Sequence, residues 1–308
     1  MPHPYVDAIR KGLFDILSQN ENAVIFGEDV AVLGGRIGVT KGLLEHFGQD
    51  RVKDTPVSEE ILVGIALGAS NGGLRPIVEI LNSDFLAIAF DDLWRSGLWQ
   101  KKYQNTVSSD ILVRTGFGAY AMKGPDFSSS AIAHIAAIPN VKIYAPAFPD
   151  DAYRLVKESF NEPGLKIFLE HKALYFAKEF SKFEKQSMRG QVLFISYSYV
   201  SVLCAKAAEI LQSAGISSFL VDLGTIWPVP FERIYSCIQA ADAVILVEEC
   251  VPEAGIMNFI ELEIRRKYPD KIIGRVHARD AIIPFGVNEQ AVLPSAEDIA
   301  QKAFSLTR

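Results

Sequence analysis

The feature that most constrains this chain is a repeated alternation of short apolar runs with stretches of helical spacing. AVIFGEDV (23–30), RPIVEIL (75–81), DILVRTGFG (110–118), NVKIYAPAF (140–148) and LKIFLEHK (165–172) are short and bounded by Gly, Pro, Asn or charge, as buried strands are. RVKDTPVSEE (51–60) reads as a further strand and turn. Between them, Val6, Ile9, Leu13, Ile16 and Leu17 predict an amphipathic helix over 5–19, and helices are expected near 40–47, 61–73, 86–103 and 150–160. The stretch 61–73 is apolar on nearly all faces, which predicts a buried helix. Strands alternating with helices imply an α/β chain whose largely parallel sheet is covered on both faces. KEFSKFEKQSMRG (178–190) has no apolar period and is the candidate linker. A second alternating set follows, with strands at 191–198, 217–224, 243–250 and 272–277 and helices at 200–213, 231–239 and 255–267. The 308 residues are therefore expected to form two domains, 1–180 and 181–308.

Composition removes several function classes. The formal net charge is −6, without a basic block, so a nucleic-acid surface is not expected. No apolar run reaches the roughly 18 residues of a membrane span, and the first residues lack the apolar core of a signal peptide. Cys204, Cys237 and Cys250 are odd in number and form no CxxC, which argues against a disulfide framework or thiolate zinc site and fits a cytoplasmic protein. The histidines have no metal-ligand spacing: His3 lies near the terminus, His46 on a surface helix, His134 in an apolar helix as an expected core residue, and His171 and His277 at strand ends. GxGxxG, GxxxxGK[ST] and GxSxG are all absent.

Several local patterns carry both a bland and a sharp reading. GEDV (27–30) puts Glu28 and Asp29 at the carboxyl end of a strand, where ligands collect in open α/β sheets; it is equally a solvated turn. In DTPVSEE (54–60), Ser58 is a candidate N-cap and Glu59 and Glu60 open the apolar helix. Carboxylates there complement the helix dipole, worth about 0.3–1 kcal/mol. Alternatively, Glu59 points into a dry pocket, where its raised pKa suits proton exchange with a heterocycle. Phe85 and Phe90 are core residues or a cofactor platform, and GPDFSSS (124–130) is a surface loop or a helix cap.

Together, GEDV, GLLEHFGQDRVKDTPVSEEILVGIALG, LRPIVEI and DFLAIAFDDL resemble the beta subunit of thiamine-diphosphate-dependent 2-oxo acid dehydrogenases of the pyruvate and branched-chain type. The resemblance continues in order through IPNVKIYAP, DDAYRLVKESFNEPG, IFLEHKALY, GISSFLVDLGTIWPVP, VILVEE and RVHARDAIIPF, and IPNVKIYAP is also similar to transketolase. It implies a pyrimidine-binding domain followed by a transketolase C-terminal-like domain. It further implies thiamine diphosphate shared between two chains, an alpha-type partner holding the diphosphate and Mg2+ through a GDG motif, and an α2β2 assembly, with a lipoyl acyltransferase as a further possible partner. This sequence contains no GDG. By position, Glu59 matches the glutamate that hydrogen-bonds the pyrimidine N1′, favouring the ring form able to take up the thiazolium C2 proton. Phe85 matches the aromatic on the pyrimidine face, Val57 and Leu81 match residues lining the ring, and Glu28 matches an acid near it.

One departure stands out. The loop histidine of the 2-oxo acid dehydrogenases falls on Phe127, and that of transketolases on Asp126. Neither residue can act as an imidazole does. The expectation is a different substrate or mechanism, a proton supplied by the partner chain, or a slow enzyme. Lys123 and Asp126 are candidates for contacting a polar substrate. The resemblance implies decarboxylation of a 2-oxo acid with acyl transfer. A split transketolase-like carboligase with an aldehyde or sugar acceptor, or a non-catalytic assembly paralogue, is the alternative.

Overall fold

The computed structural model describes residues 4–103, 108–178, 180 and 189–307. His3 and most of the candidate linker at 178–190 lie outside these residues. Eleven strands are described: β1 (Ala23–Gly27), β2 (Val52–Asp54), β3 (Arg75–Asn82), β4 (Ile111–Phe117), β5 (Lys142–Ala145), β6 (Leu165–His171), β7 (Gly190–Ser196), β8 (Ser218–Asp222), β9 (Gly224–Trp227), β10 (Ala241–Val247) and β11 (Ile272–Val276). The helices are α1 (Pro4–Gln19), α2 (Leu43–Phe47), α3 (Glu59–Asn71), α4 (Phe90–Lys102), α5 (Ile132–Ala136), α6 (Pro149–Asn161), α7 (Lys172–Tyr175), α8 (Ser198–Ser213), α9 (Phe231–Ile238), α10 (Met257–Lys267) and α11 (Ala296–Leu306).

The chain is α/β. A seven-stranded sheet has the order β2-β1-β3-β4-β6-β5-β9, and a four-stranded sheet the order β11-β10-β7-β8. All pairs are parallel except β5 with β9. Parallel pairing puts the carboxyl ends of β1 to β6 on one edge, so the loops after Gly27, Asp54, Asn82, Phe117 and His171 converge there. Both faces of the large sheet are covered. Tyr5, Val6, Ile9, Leu13 and Leu17 of α1 pack with Val156 and Phe160 of α6 under one face; Leu62, Val63 and Ala66 of α3 pack with Val78 and Leu93 on the other.

The halves are not independent. One buried cluster runs from Val78 and Ile135 into Ile195, Leu246 and Ile260. The short strand β9, which begins where the strand expected at 217–224 ends, crosses to pair with β5 of the first half. Other expectations need correcting. The helix expected over 86–103 starts at Phe90, because Ser83–Ala87 form a 3-10 turn after β3. Helix α3 is buried on one side only: Ile61 and Ile65 remain 56% and 49% exposed, because none of the described residues packs over its outer face. Ser58 occupies the N-cap position of α3 but makes no side-chain capping bond. His134 is exposed, since α5 is a single short turn that buries Ile132 and Ile135 and turns the imidazole outward.

Candidate active site

The loop after β1 is built around Asp54, at the end of neighbouring β2. Its carboxylate accepts the Ala31 N–H at 2.7 Å and the Val32 N–H at 3.0 Å. The Thr40 hydroxyl donates to Val30 O at 2.7 Å and closes the loop from the other side. Glu28 leaves β1 at the base of this loop, half-buried, with Oε1 buried and without a hydrogen-bond partner among the described residues. Desolvation raises its carboxyl above the usual range, and the nearby Glu59 and Asp29 carboxylates raise it further. Glu59 is half-buried in the first turn of α3. The fold thus brings Glu28 and Glu59 together. Burial and the neighbouring negative charges thus favour a proton, or a hydrogen-bond donor, on Glu28.

Two aromatic rings form a second part of the site. Phe85 sits in the 3-10 turn after β3, and Phe127 in another at Pro125–Phe127. Their centroids are 5.8 Å apart at 81°, an edge-to-face contact. Phe85 and Phe90 both pack, partly buried, against the core, and Phe90 pairs with Trp94 at 6.0 Å. Beneath the rings lies a polar chain that sequence reading misses. Lys172 is 1% exposed; its Nζ donates to Asn82 Oδ1 at 2.7 Å and to the Phe127 carbonyl. Asn82 donates to Asp84, and Asp84 accepts the Ser129 N–H at 3.2 Å. Burial lowers the Lys172 pKa to about 8, opposed by Asp84.

Deeper in the sheet, Arg114 of β4 reaches Glu79 of β3 at 2.8 Å and Glu170 of β6 at 2.6 Å, all buried. Tyr175 donates to Glu170 at 2.8 Å. Burial works against the guanidinium, but Glu170 and Glu79 outweigh it and raise its pKa; burial also raises that of Glu170, with Arg114 pulling back. A signal for this triad exists in the sequence, since RPIVEIL, DILVRTGFG and LKIFLEHK each carry a charge inside an apolar run.

The second half closes the far side of the site. His171 Nδ1 accepts the Ala173 N–H at 3.1 Å, so the other ring nitrogen carries the proton that faces Glu249 Oε2 at 3.1 Å. Glu249 also accepts the Ala119 N–H, and Glu289 accepts the Met122 N–H at 3.1 Å. Gly118 allows this approach: its φ is +82°, and a Cβ there would lie 2.2 Å from His171 Nε2.

The remaining sequence candidates are more dispersed. Val57 is 75% exposed. Leu81 is half-buried, and its carbonyl accepts Arg36 Nη1 at 3.2 Å. Lys123 and Asp126 are exposed and form no ion pair among the described residues. Among those residues, no cluster of three or more His, Cys, Asp or Glu could hold a metal ion, and no helix is long and apolar enough to cross a membrane.

Residues 3–178 match the model of the transketolase pyrimidine binding domain, and residues 181–299 that of the transketolase C-terminal domain. The chain is similar to the pyruvate dehydrogenase E1 component subunit beta of Staphylococcus epidermidis, 31% identical over 97% of this chain and 96% of that one. It is 30% identical to the subunit of the same name from Staphylococcus aureus, over the same shares of both chains. Among solved structures, a split-gene transketolase described as an inactive beta4 tetramer superposes with a TM-score of 0.77 at 19% identity, covering 98% of both chains.

Proposed function

Because the chain belongs to the family that joins a transketolase pyrimidine-binding domain to a transketolase C-terminal domain, we propose that it is the beta-type subunit of a two-chain thiamine-diphosphate enzyme. In this reading it decarboxylates a 2-oxo acid and passes on the acyl unit, together with an alpha-type partner in an α2β2 assembly. The observation that carries the reading is the pair of acids at the carboxyl edge of the large sheet: Glu28, with a buried unpartnered oxygen, beside Glu59 at the start of α3.

The residues fit the ring end of such a cofactor. Glu59 would accept a hydrogen bond from, or share a proton with, a ring nitrogen; Glu28 would take a donor at its free Oε1; Phe85 would pack on the ring face. Val57 and Leu81 would line the ring. Thiamine diphosphate, when bound, supplies the carbon nucleophile and the sink for the electron pair left by decarboxylation. This chain's contribution is to orient the ring, keep its edge dry and hold a proton at Glu59. Asp54 and Thr40 keep the Glu28 loop in place, and the Lys172–Asn82–Asp84 chain supports the two aromatic turns. The sequence contains no GDG, and the reading assigns the diphosphate and Mg2+ to the partner. The exposed Ile61 and Ile65 of α3, with Ile88 before α4 and Leu98 within it, offer the partner an apolar face.

The test is turnover of a 2-oxo acid by the chain assembled with its partner, thiamine diphosphate and Mg2+. Glu59→Gln should lower kcat by about 10²–10⁴-fold while the complex still assembles. Full turnover in the mutant would remove the reading. Screening acceptors separates acyl transfer to a lipoyl protein from ligation to an aldehyde or sugar.

A further inference from the structure

We propose that Phe127 sets the donor specificity of this site as an apolar wall at the edge of Phe85, and that Lys172 is the positioning residue that holds it there. The proposal rests on the reading above and concerns the same site.

The backbone of the Phe127 turn faces inward and its ring faces outward. The Phe127 carbonyl is taken by the buried Lys172, and the Ser129 N–H by Asp84. Asn82 joins these two anchors by accepting from Lys172 and donating to Asp84. Asn82 immediately precedes the turn that carries Phe85 and Asp84 lies within it, so one polar chain fixes both aromatics. A fully buried ammonium requires its acceptors, so the turn cannot swing out without stranding Lys172. With the backbone pinned, the Phe127 ring stands edge-on to Phe85 and remains 37% exposed, leaving surface free for a substrate.

Beyond the exposed charges of Lys123 and Asp126 in the same loop, apolar side chains continue the wall. The Phe127 N–H returns to Gly124 O, which makes 124–127 a tight turn. Gly124 packs against Phe285: a Cβ there would lie 2.3 Å from the ring. Phe285 is 65% exposed, and Met122, whose carbonyl accepts the Gly286 N–H, is 47% exposed. An imidazole at position 127 would hydrogen-bond a carboxylate or hydroxyl; a phenyl ring offers neither donor nor acceptor there. A sugar hydroxyl against this wall loses its hydrogen bonds to water without replacement, whereas a branched or aromatic side chain gains contact. The substrate class the wall favours is therefore a donor with a bulky apolar group, over pyruvate and over hydroxylated ketoses.

The experiment measures kcat/KM of the assembled two-chain enzyme for pyruvate, 3-methyl-2-oxobutanoate, phenylpyruvate and xylulose 5-phosphate, in wild type, Phe127→Ala, Lys172→Met and the double variant. One apolar contact in a pocket discriminates by roughly 10–200-fold. Wild type should favour the apolar donors by about 10-fold or more over pyruvate and the ketose, and Phe127→Ala should lose about that factor. Lys172→Met should reproduce the loss alone and add little to Phe127→Ala; a merely structural lysine would lower all donors equally in both backgrounds. An unchanged donor ratio in Phe127→Ala, or additive losses in the double variant, overturns the proposal while thiamine diphosphate still binds. Failure of the wild-type complex to bind thiamine diphosphate, read by calorimetry, overturns the proposed function and this proposal with it.

Discussion

At the scale of single residues, the charges buried across β3, β4 and β6 matter most to stability. Arg114 balances Glu79 and Glu170 at 1% exposure, where no water screens the exchange. Removing one partner of such a pair strands the others, at about 3–5 kcal/mol. Arg114→Met should therefore lower the unfolding free energy read from urea titration by about that amount, and replacing all three residues by apolar ones of similar volume should recover most of it. Equal midpoints for wild type and Arg114→Met would show that the triad carries no stability. Glu59 and Phe85 are legible in the sequence because they sit in motifs that resemble a known family. Lys172 is not: a lysine at a strand end ordinarily reads as a solvated tip. Its ammonium is enclosed by groups distant in sequence, the Phe127 carbonyl of the turn at 124–129 and Asn82 at the end of β3.

At the scale of elements, the turn after β3 shows how a site departs from local pattern. The spacing from Leu86 through Trp99 satisfies a helical period, which suggests one helix over 86–103. The chain instead spends Ser83–Ala87 in a 3-10 turn, which brings Phe85 to Phe127, and begins α4 at Phe90 with Asp91 and Asp92 in its first turn, where the dipole favours them. Helix α4 then packs so closely on the segment before β5 that a Cβ at Gly97 would lie 2.0 Å from Pro139 O. Alanine is worth about 1 kcal/mol over glycine in an open helix. Here the backbone must move, and overpacking costs about 1–3 kcal/mol. Gly97→Ala should thus lower the melting temperature; a rise would mean that the contact relaxes freely. His134 illustrates the same limit. Its apolar neighbours suggest a buried face, but a five-residue helix buries only two side chains and leaves the third position outside.

At the scale of the whole molecule, the two halves are joined by buried polar groups as well as by the shared core. The Ala119 N–H donates to Glu249 and the Met122 N–H to Glu289, and Asp222, at the end of β8, accepts a hydrogen bond from Ser201 at 2.7 Å. Burial is the main cause of its pKa being raised to about 7. Unfolded, it titrates near 4. Between these values the unfolded chain has released the proton and the folded chain keeps it, so stability falls as pH rises, by about 1.4 kcal/mol per unit for this group. Above about pH 7 both states are ionised and the decline stops. The stability of wild type relative to Asp222→Asn should fall from pH 4 to 7 and then level off. Parallel pH profiles from denaturant titrations would show that Asp222 is ionised throughout.

The alternation of apolar runs with helical spacing was enough to determine an α/β chain with parallel sheets, because buried strands and amphipathic helices each leave a short-range period that does not depend on the rest of the molecule. The order of strands, the crossing of β9 into the first sheet, and the meeting of Glu28 with Glu59 and of Phe85 with Phe127 were decided by tertiary packing. These contacts join residues tens of positions apart, and their energy depends on how much water the surrounding fold removes, which no local stretch of sequence encodes.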